Sequence, residues 1–432
     1  MRSGSCVALP PPPHPASLRK PRALFVYVML ACAGAACGAE DPMDDTGFPV
    51  AFDDTPALLP CTPRPPITGF VRAEGGKLWL DGTRFRGLGA NIYYLQQQFT
   101  YGLKGSASAT AQALAALDDA VCLGLQVIRT PGYNDSQDAA AIRPLPGTYR
   151  EEGLRGLDRA VAEARARGLR LVITLTNNHA DFGGLPAYAR WEGLDKDAFF
   201  TSAALRRHWE DYATMLVNRV NTLTGVAYRD EPAILAWELG NEFRCRSCPD
   251  TSALTATVGT LARHLRGLGV KQLISDGGEG FDDKPALYEG LSSRYPVEGA
   301  EGSSYADLTA LADVDLPSYH FYPRTWGLGA GGDADLWIRR HEEIAATLGK
   351  AALFGEFGLR PRAGSPTPDR ERAEFFERWL TAFDASDGSL ALLWQLIPPA
   401  RILAGNDGYG VVLGVDHVTT KVLHHWAQRL GP

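Results

Sequence analysis

Residues 231–245 read EPAILAWELGNEFRC, a short apolar run from Ile234 that ends in the polar pair Asn241-Glu242. The stretches on either side, RHWEDYATMLVNRVNTL (207–223) and LTATVGTLARHLRGLG (254–269), carry apolar residues at helical spacing. Helix, buried strand and helix in succession is the repeating unit of a parallel sheet. Working outward, seven further runs have the same form: RFRGLGANI (84–92), LQVIRTPGY (125–133), RLVITLTNN (170–178), QLISDGGEG (272–280), LPSYHFYP (316–323), AALFGEFGL (351–359) and LALLWQLI (390–397). Amphipathic stretches such as AQALAALDDAVCLG (111–124), LRGLDRAVAEARARG (154–168), WIRRHEEIAATLG (337–349) and Arg372 to Leu380 separate them, and glycine often closes the helix. Eight strand-helix units at intervals of about 40 residues, joined by right-handed crossovers, can close on themselves. The expected fold is therefore a (β/α)8 TIM barrel forming a single catalytic domain over residues 68–432. No Gly-x-Gly-x-x-Gly follows the first strand, which removes the usual mark of a dinucleotide-binding sheet. Before the first strand, FVRAEGGKLWLDGTRFRG (70–87) alternates like a strand and turns at Asp81-Gly82. That dipeptide accepts positive φ at both positions, so a short N-terminal β-hairpin is expected, capping the barrel floor.

The composition permits this and narrows the function. The chain has 432 residues, 45% of them apolar and 22% charged, which suits a folded domain with a sizeable core. Its net charge of -7 and the dispersed positions of Lys and Arg argue against a nucleic-acid surface. The first 36 residues differ from the rest. Arg19, Lys20 and Arg22 precede an apolar run from Ala23 to Ala36, too short to span a bilayer comfortably, and small residues lead up to Cys37. Residues 1–36 are read as an export signal, giving a secreted or cell-surface bacterial protein. Gly34-Ala35-Ala36-Cys37 resembles a lipobox, and lipidation of Cys37 stands beside simple cleavage and release. Residues 37–67, rich in Asp, Pro and Thr without apolar period, are read as a flexible linker.

Of the seven cysteines, Cys6 and Cys32 fall in the signal, Cys122 lies on an apolar helical pattern and is expected to be buried, and Cys61 has no evident partner. A zinc site at Cys245-x-x-Cys248 needs two more ligands, and no second pair exists. In an exported protein a local disulfide between Cys245 and Cys248 is favoured over free thiols.

In barrels of this kind the reacting groups project from the C-terminal ends of strands. Arg129 ends the second strand candidate, Asn177 and Asn178 the third, Asn241 and Glu242 the fourth, His320 and Tyr322 the sixth and Glu356 the seventh, while Trp394 lies on the eighth. A lone strand-end Glu reads as a salt-bridge partner and a lone His as a satisfied polar residue. Their shared location points instead to a site. Two carboxylates at one barrel mouth suit glycosidic cleavage, because the leaving oxygen needs a proton while the anomeric carbon needs an anion on its other face. The fourth and seventh strands are expected to face each other, and a separation of about 5 to 5.5 Å implies retention of configuration. Arg129 and Tyr322 are positioned to keep Glu356 ionised, and Asn241 to meet a sugar 2-hydroxyl.

These segments resemble glycoside hydrolase family 5, most closely its endo-β-1,4-mannanases. RGLGANIYYL, VIRTPGYND, LTNNHADFGGLPAYARW, EPAILAWELGNEFRC, SDGGEGF, PSYHFYPRTWG, FGEFGL and LLWQL occur in the family's order. The resemblance implies Glu242 as general acid/base, Glu356 as nucleophile, and Arg129, Asn178, Asn241, His320, Tyr322, Trp394, Trp326 and Glu279 as substrate-binding residues. Trp394 would floor the subsite of the cleaved sugar. RCRSC is similar to a short disulfide loop of related fungal mannanases. Tyr93, Tyr94, Trp191 and Phe281 are further candidate contacts. The chain departs from the family at Pro131 and His179, where mannanases usually carry Trp, which weakens subsites or opens room for branches. The expected activity is retaining, endo-acting cleavage of β-1,4-mannosidic bonds in mannan, glucomannan or galactomannan, with no metal or cofactor. Alternatives are a β-glucanase or exo-β-mannosidase of the same mechanism, a noncatalytic carbohydrate-binding barrel, and transglycosylation. No partner beyond the polysaccharide is implied.

Overall fold

The computed structural model describes residues 55–56, 59–401 and 406–431. The expected export signal, Cys37 and most of the expected linker lie outside them. Among the described residues no helix is long and apolar enough to cross a membrane.

All eight barrel strands are present. They are β4 (Gly87–Asn91), β5 (Val127–Pro131), β6 (Arg170–Thr174), β7 (Ile234–Glu238), β8 (Leu273–Ser275), β9 (Ser318–Phe321), β10 (Leu353–Phe357) and β11 (Leu390–Leu393). Every pairing is parallel, in the order β8-β7-β6-β5-β4-β11-β10-β9. A further parallel bridge from Ser275 to Leu316, just ahead of β9, closes the ring. The strands leading to the two candidate glutamates face each other across the ring as expected, with β8 and β9 between β7 and β10 on one side and β6, β5, β4 and β11 on the other. Each strand stops earlier than the apolar runs suggest. The polar residues that follow belong to the loops of the barrel mouth.

Ahead of the ring, β1 (Arg72–Glu74), β2 (Lys77–Leu80) and β3 (Thr83–Arg84) form an antiparallel meander. Asp81 and Gly82 sit at φ 49° and 81°, the left-handed pair that a tight hairpin turn requires. Val71, Leu78 and Phe85 of this segment pack with Val127, Val172, Leu235, Leu273, Leu353 and Leu390. The hairpin thus plugs the floor of the barrel with apolar side chains. A second, larger cluster fills the layer between the strands and the outer helices.

The last residues of the expected linker are bound to the barrel rather than loose. Cys61 forms a disulfide with Cys122, so it has a partner after all, and Cys122 is half-buried. Arg64 Nη1 donates to the carbonyls of Gly124 and Leu125 at 3.0 and 2.8 Å. Both anchors lie just before β5, on the floor. The outer helices begin conventionally. Ser106 Oγ accepts from the Ala109 N–H ahead of Ala107–Cys122, and Glu151 and Glu152 occupy the positive first turn of Glu151–Ala166.

Candidate active site

Strand alternation decides which side chains reach the mouth. Val127, Val172 and Ala236 pack in the inner floor cluster, so residues two further along, Arg129, Thr174 and Glu238, share their inward face. The three polar residues meet there. Arg129 donates through Nε and Nη2 to Glu238 at 2.6 to 3.0 Å, and Thr174 Oγ1 donates to Glu238 Oε1 at 2.8 Å. The same guanidinium donates through Nη1 to Glu356 Oε1 at 2.6 Å and to Asn91 Oδ1 at 2.9 Å, and through Nη2 to Asn241 Oδ1 at 2.7 Å.

Glu356 breaks the alternation of its own strand. Phe354 and Phe357, three residues apart, both face the outer core, and the register of β10 shifts between Phe354 and Glu356. This irregularity turns Glu356 toward the mouth. Gly355 allows it, because a Cβ there would stand 2.7 Å from Ser318 Oγ and 3.1 Å from His320 Nε2. The second oxygen of Glu356 accepts a short hydrogen bond from Tyr322 OH, at 2.5 Å.

Glu242 lies beyond the end of β7, at φ 56°, with its N–H donated to Gly277 O at 2.8 Å. The loops after β6 and β7 are zipped together by a parallel bridge between Asn177 and Asn241, by Asn178 N–H to Asn241 O and Asn241 N–H to Thr176 O, and by Asn241 Nδ2 to Asn177 Oδ1. Held this way, Glu242 meets two imidazoles: His320 Nδ1 at 3.0 Å from Oε1 and His179 Nε2 at 2.8 Å from Oε2. His320 Nδ1 is also 3.7 Å from Glu356 Oε2. One ligand atom each from Glu242, His320 and Glu356 lie within 4.8 Å of one another. Among the described residues this is a grouping whose spacing suits a metal ion. Its chemistry does not, because His320 Nδ1 is engaged with Glu242 and the Arg129 charge already sits on Glu356.

The two carboxyls sit in different fields. Burial pushes Glu242 up, and hydrogen bonds from His179 and His320 outweigh it, holding the group well below the ordinary carboxylate range. Burial also pushes Glu356 up, assisted by the nearby Glu242 charge, and His320, Arg129 and Tyr322 offset this only in part, leaving the group above the ordinary carboxylate value. Both oxygens of Glu356 face donors, Arg129 on one and Tyr322 on the other, which is the environment of a carboxylate anion.

Around the pair runs an open cleft of about 590 Å³. From the side of β4 and β11 it is lined by Tyr93, Trp394, Asp407 and Tyr409, and from the side of β7 and β8 by Arg244 and Glu279. Tyr93 and Trp394 stack with ring centres 5.8 Å apart, and Trp394 Nε1 donates to Asp407 Oδ2 at 2.8 Å. Such flat aromatic faces suit sugar rings. Glu279 is gripped by Arg244 through two bonds of 2.6 Å. Cys245 and Cys248 are bonded to each other in the loop after Arg244.

Several expected contacts lie elsewhere. Asn178 does not line the cleft; its Oδ1 accepts from Lys196 Nζ and the Arg244 N–H, tying loops together behind it. His320 is fully buried beneath the carboxyls. Trp326 borders the cleft but is 5% exposed, because its ring packs edge-on against Phe281 and Tyr322. Phe281 is buried under the Arg244 guanidinium. Tyr94 is buried with its hydroxyl on Leu396 O, and Trp191 stacks on Tyr188 away from the cleft. Aromatic identity alone does not reveal which face a side chain takes. Conversely, Glu238, Asn91, Asp407 and Tyr409 were not singled out by the sequence. Glu238 was detectable through its i, i+2 relation to an apolar inward residue. His179, read as a lost aromatic platform, is instead a direct partner of Glu242.

Comparison with known proteins follows the same line. A family model described as GH family 5 beta-mannosidase-like matches residues 68–385. The chain is 31% identical over 384 residues to mannan endo-1,4-beta-mannosidase 1 of Oryza sativa subsp. japonica, covering 84% of this chain and 86% of the relative. It is 29% identical over 379 residues to mannan endo-1,4-beta-mannosidase 3 of Arabidopsis thaliana, covering 84% and 90%. Among solved structures, the endo-beta-1,4-mannanase from Thermotoga petrophila superposes with a TM-score of 0.72 at 28% identity, covering 81% of this chain and 78% of that one. The endo-1,4-beta-mannanase from Rhizomucor miehei gives 0.72 at 25% identity, covering 84% and 99%.

Proposed function

Because the chain belongs to the glycoside hydrolase family 5 β-mannosidase-like family, we propose that it cleaves β-1,4-mannosidic bonds inside mannan, glucomannan or galactomannan with retention of configuration. The observation that carries this reading is the spacing of Glu242 and Glu356, whose oxygens approach within 4.8 Å at the mouth of an open cleft. Inversion requires carboxyls about 6.5 to 9.5 Å apart so that a water can enter beneath the sugar. Here Glu356 is close enough to attack the anomeric carbon itself.

In the first step Glu356 Oε forms a bond to the anomeric carbon while the bond to the leaving oxygen breaks and Glu242 supplies its proton. In the second, Glu242 takes a proton from water, the water oxygen bonds to the anomeric carbon, and Glu356 is released. Arg129 and Tyr322 hold Glu356 as the attacking anion. At rest the two imidazoles stabilise Glu242 as a carboxylate, so substrate entry must shift a proton onto it. Desolvation of the site and the negative charge of Glu356 both act in that direction. Trp394 and Tyr93 provide a stacking face for the sugar bonded to Glu356, and Arg244 with Glu279 borders the leaving-group side.

A panel of mannan, glucomannan, galactomannan and β-glucan, with product mapping and proton NMR of the first anomer released, tests this reading. We expect mixed oligosaccharides with retained configuration from the mannans. Cleavage of β-glucans alone, release of mannose only, or an inverted first product overturns it. Export of the enzyme, either released after cleavage or held by a lipid on Cys37, accords with a polymeric substrate too large to enter a cell; labelled palmitate incorporation that Cys37→Ser abolishes would mark the anchored form, and its absence from an exported enzyme the released one.

A further inference from the structure

We propose that His179 is a positioning residue for Glu242: its Nε2 shares with Oε2 the proton that Glu242 delivers to the leaving oxygen. The inference rests on the acid/base reading of Glu242 and names what sets its protonation.

The two imidazoles on Glu242 are not equivalent. His320 is fully buried, and its Nε2 has no hydrogen-bond partner among the described residues. Only its Nδ1 side is engaged, with Glu242 Oε1. His179 has its side chain 40% exposed and borders the cleft. Its Nε2 is on Glu242 Oε2 at 2.8 Å, and among the described residues no hydrogen bond engages its Nδ1. One end of the ring meets the carboxyl and the other meets solvent.

The backbone holds this contact in register. The His179 N–H donates to Asn177 Oδ1 at 3.0 Å, and the same oxygen accepts from Asn241 Nδ2. Asn177 therefore grips both the loop carrying His179 and the loop carrying Glu242. Gly184 makes the turn possible, since a Cβ there would stand 2.4 to 2.5 Å from the carbonyl oxygens of Asn177 and His179. The charged groups around this mouth are Asp181 on the same loop, Glu242 and Arg244 after β7, Glu279 after β8, Arg129 on β5 and Glu356 on β10. Lys196 is held on Asn178 behind it. Among the described residues, Glu242 is the one of these that bonds to the His179 ring.

A single proton on the pair can reside as imidazolium and carboxylate or as imidazole and carboxylic acid. The second arrangement becomes productive when the leaving oxygen replaces Nε2 as acceptor. That proton is therefore shared between Nε2 and Oε2 and titrates as a property of the pair, and removing the imidazole leaves Oε2 as its only seat.

The test is the pH dependence of kcat/KM for His179→Gln and His179→Asn, with circular dichroism and Tm to verify folding. Each is assayed on mannan and on an aryl mannobioside whose phenol leaves without protonation. We expect the alkaline limb on mannan to move at least about half a pH unit downward and kcat on mannan to fall about tenfold. On the aryl substrate the fall should be under about threefold. Limbs that superimpose on the wild type, or equal losses on both substrates, overturn the inference. A wild type inactive on mannan instead overturns the functional reading on which it rests.

Discussion

The guanidinium of Arg129 reaches Oε1 of Glu356 at 2.6 Å although 227 residues separate them, and both side chains are 4% exposed. Because the same group also holds Glu238, Asn91 and Asn241, the charge of Glu356 is fixed by a network rather than by one pair. Lysine keeps the charge but is a point donor and cannot serve these partners in plane. Arg129→Lys should lower kcat/KM on mannan on the order of 100-fold and reduce Tm by several degrees, measurable by reducing-sugar assay and calorimetry. Near-wild-type kinetics would show that the network is dispensable.

Glu356→Ala should lower kcat at least about 1,000-fold while leaving the circular dichroism spectrum and mannan-oligosaccharide binding largely intact. Calorimetric titration and single-turnover assays check the two halves separately. A fully active variant would remove Glu356 from the reaction.

Trp394 presents its ring to the cleft beside Tyr93. Sugar stacking on such a ring contributes about 1 kcal/mol beyond contact area, so Trp394→Ala should raise KM at least about fivefold. Trp326→Ala is expected to act mainly through stability, since that ring is packed beneath Tyr322. Kinetics and thermal melts on both variants distinguish the cases.

The Cys61–Cys122 bond closes a loop of sequence separation 61, whereas Cys245–Cys248 spans only 3. Loop entropy assigns about 4 kcal/mol to the long closure and about 2 kcal/mol to the short one. Cys61→Ser should therefore lower the urea midpoint more than Cys248→Ser. The reverse order would mean that the short loop does more than restrict the unfolded chain.

Asp276, after β8, accepts the Ser318 N–H at 2.7 Å through one oxygen. Among the described residues its other oxygen is buried without a partner, and burial raises the group from 3.8 to about 7. The folded chain thus binds this proton more tightly than the unfolded chain. Its stabilising contribution is full below about pH 4 and is lost as pH rises through about 7. Asp276→Asn should match the wild-type Tm near pH 4 and exceed it at pH 8.5. A difference independent of pH would point to packing instead.

The barrel was legible because eight apolar runs recur between amphipathic stretches, and the polar ends of those runs marked the mouth. What the pattern concealed was where each strand stops. ILAWELGNE reads as continuous to Glu242, yet β7 ends at Glu238, because Gly240 and the left-handed Glu242 turn the chain away. Glu356 was identified, but the register shift that aims it was not, since nothing local distinguishes Phe354 from Phe357. Cys61 and Cys122 escaped notice because pairing across 61 residues depends on where the chain returns, which only the closed barrel fixes. Tyr93 and Tyr94 are neighbours of one residue type, and the tertiary fold sends one to the cleft and the other under Leu396.

The anchoring of Cys61 and Arg64 just ahead of β5 also gives the molecule a direction. The polypeptide joins the barrel at its base, and the strands then run away from that base toward the open rim. Cleft and point of entry thus occupy opposite ends of the barrel, so a change to the entering segment leaves the rim untouched.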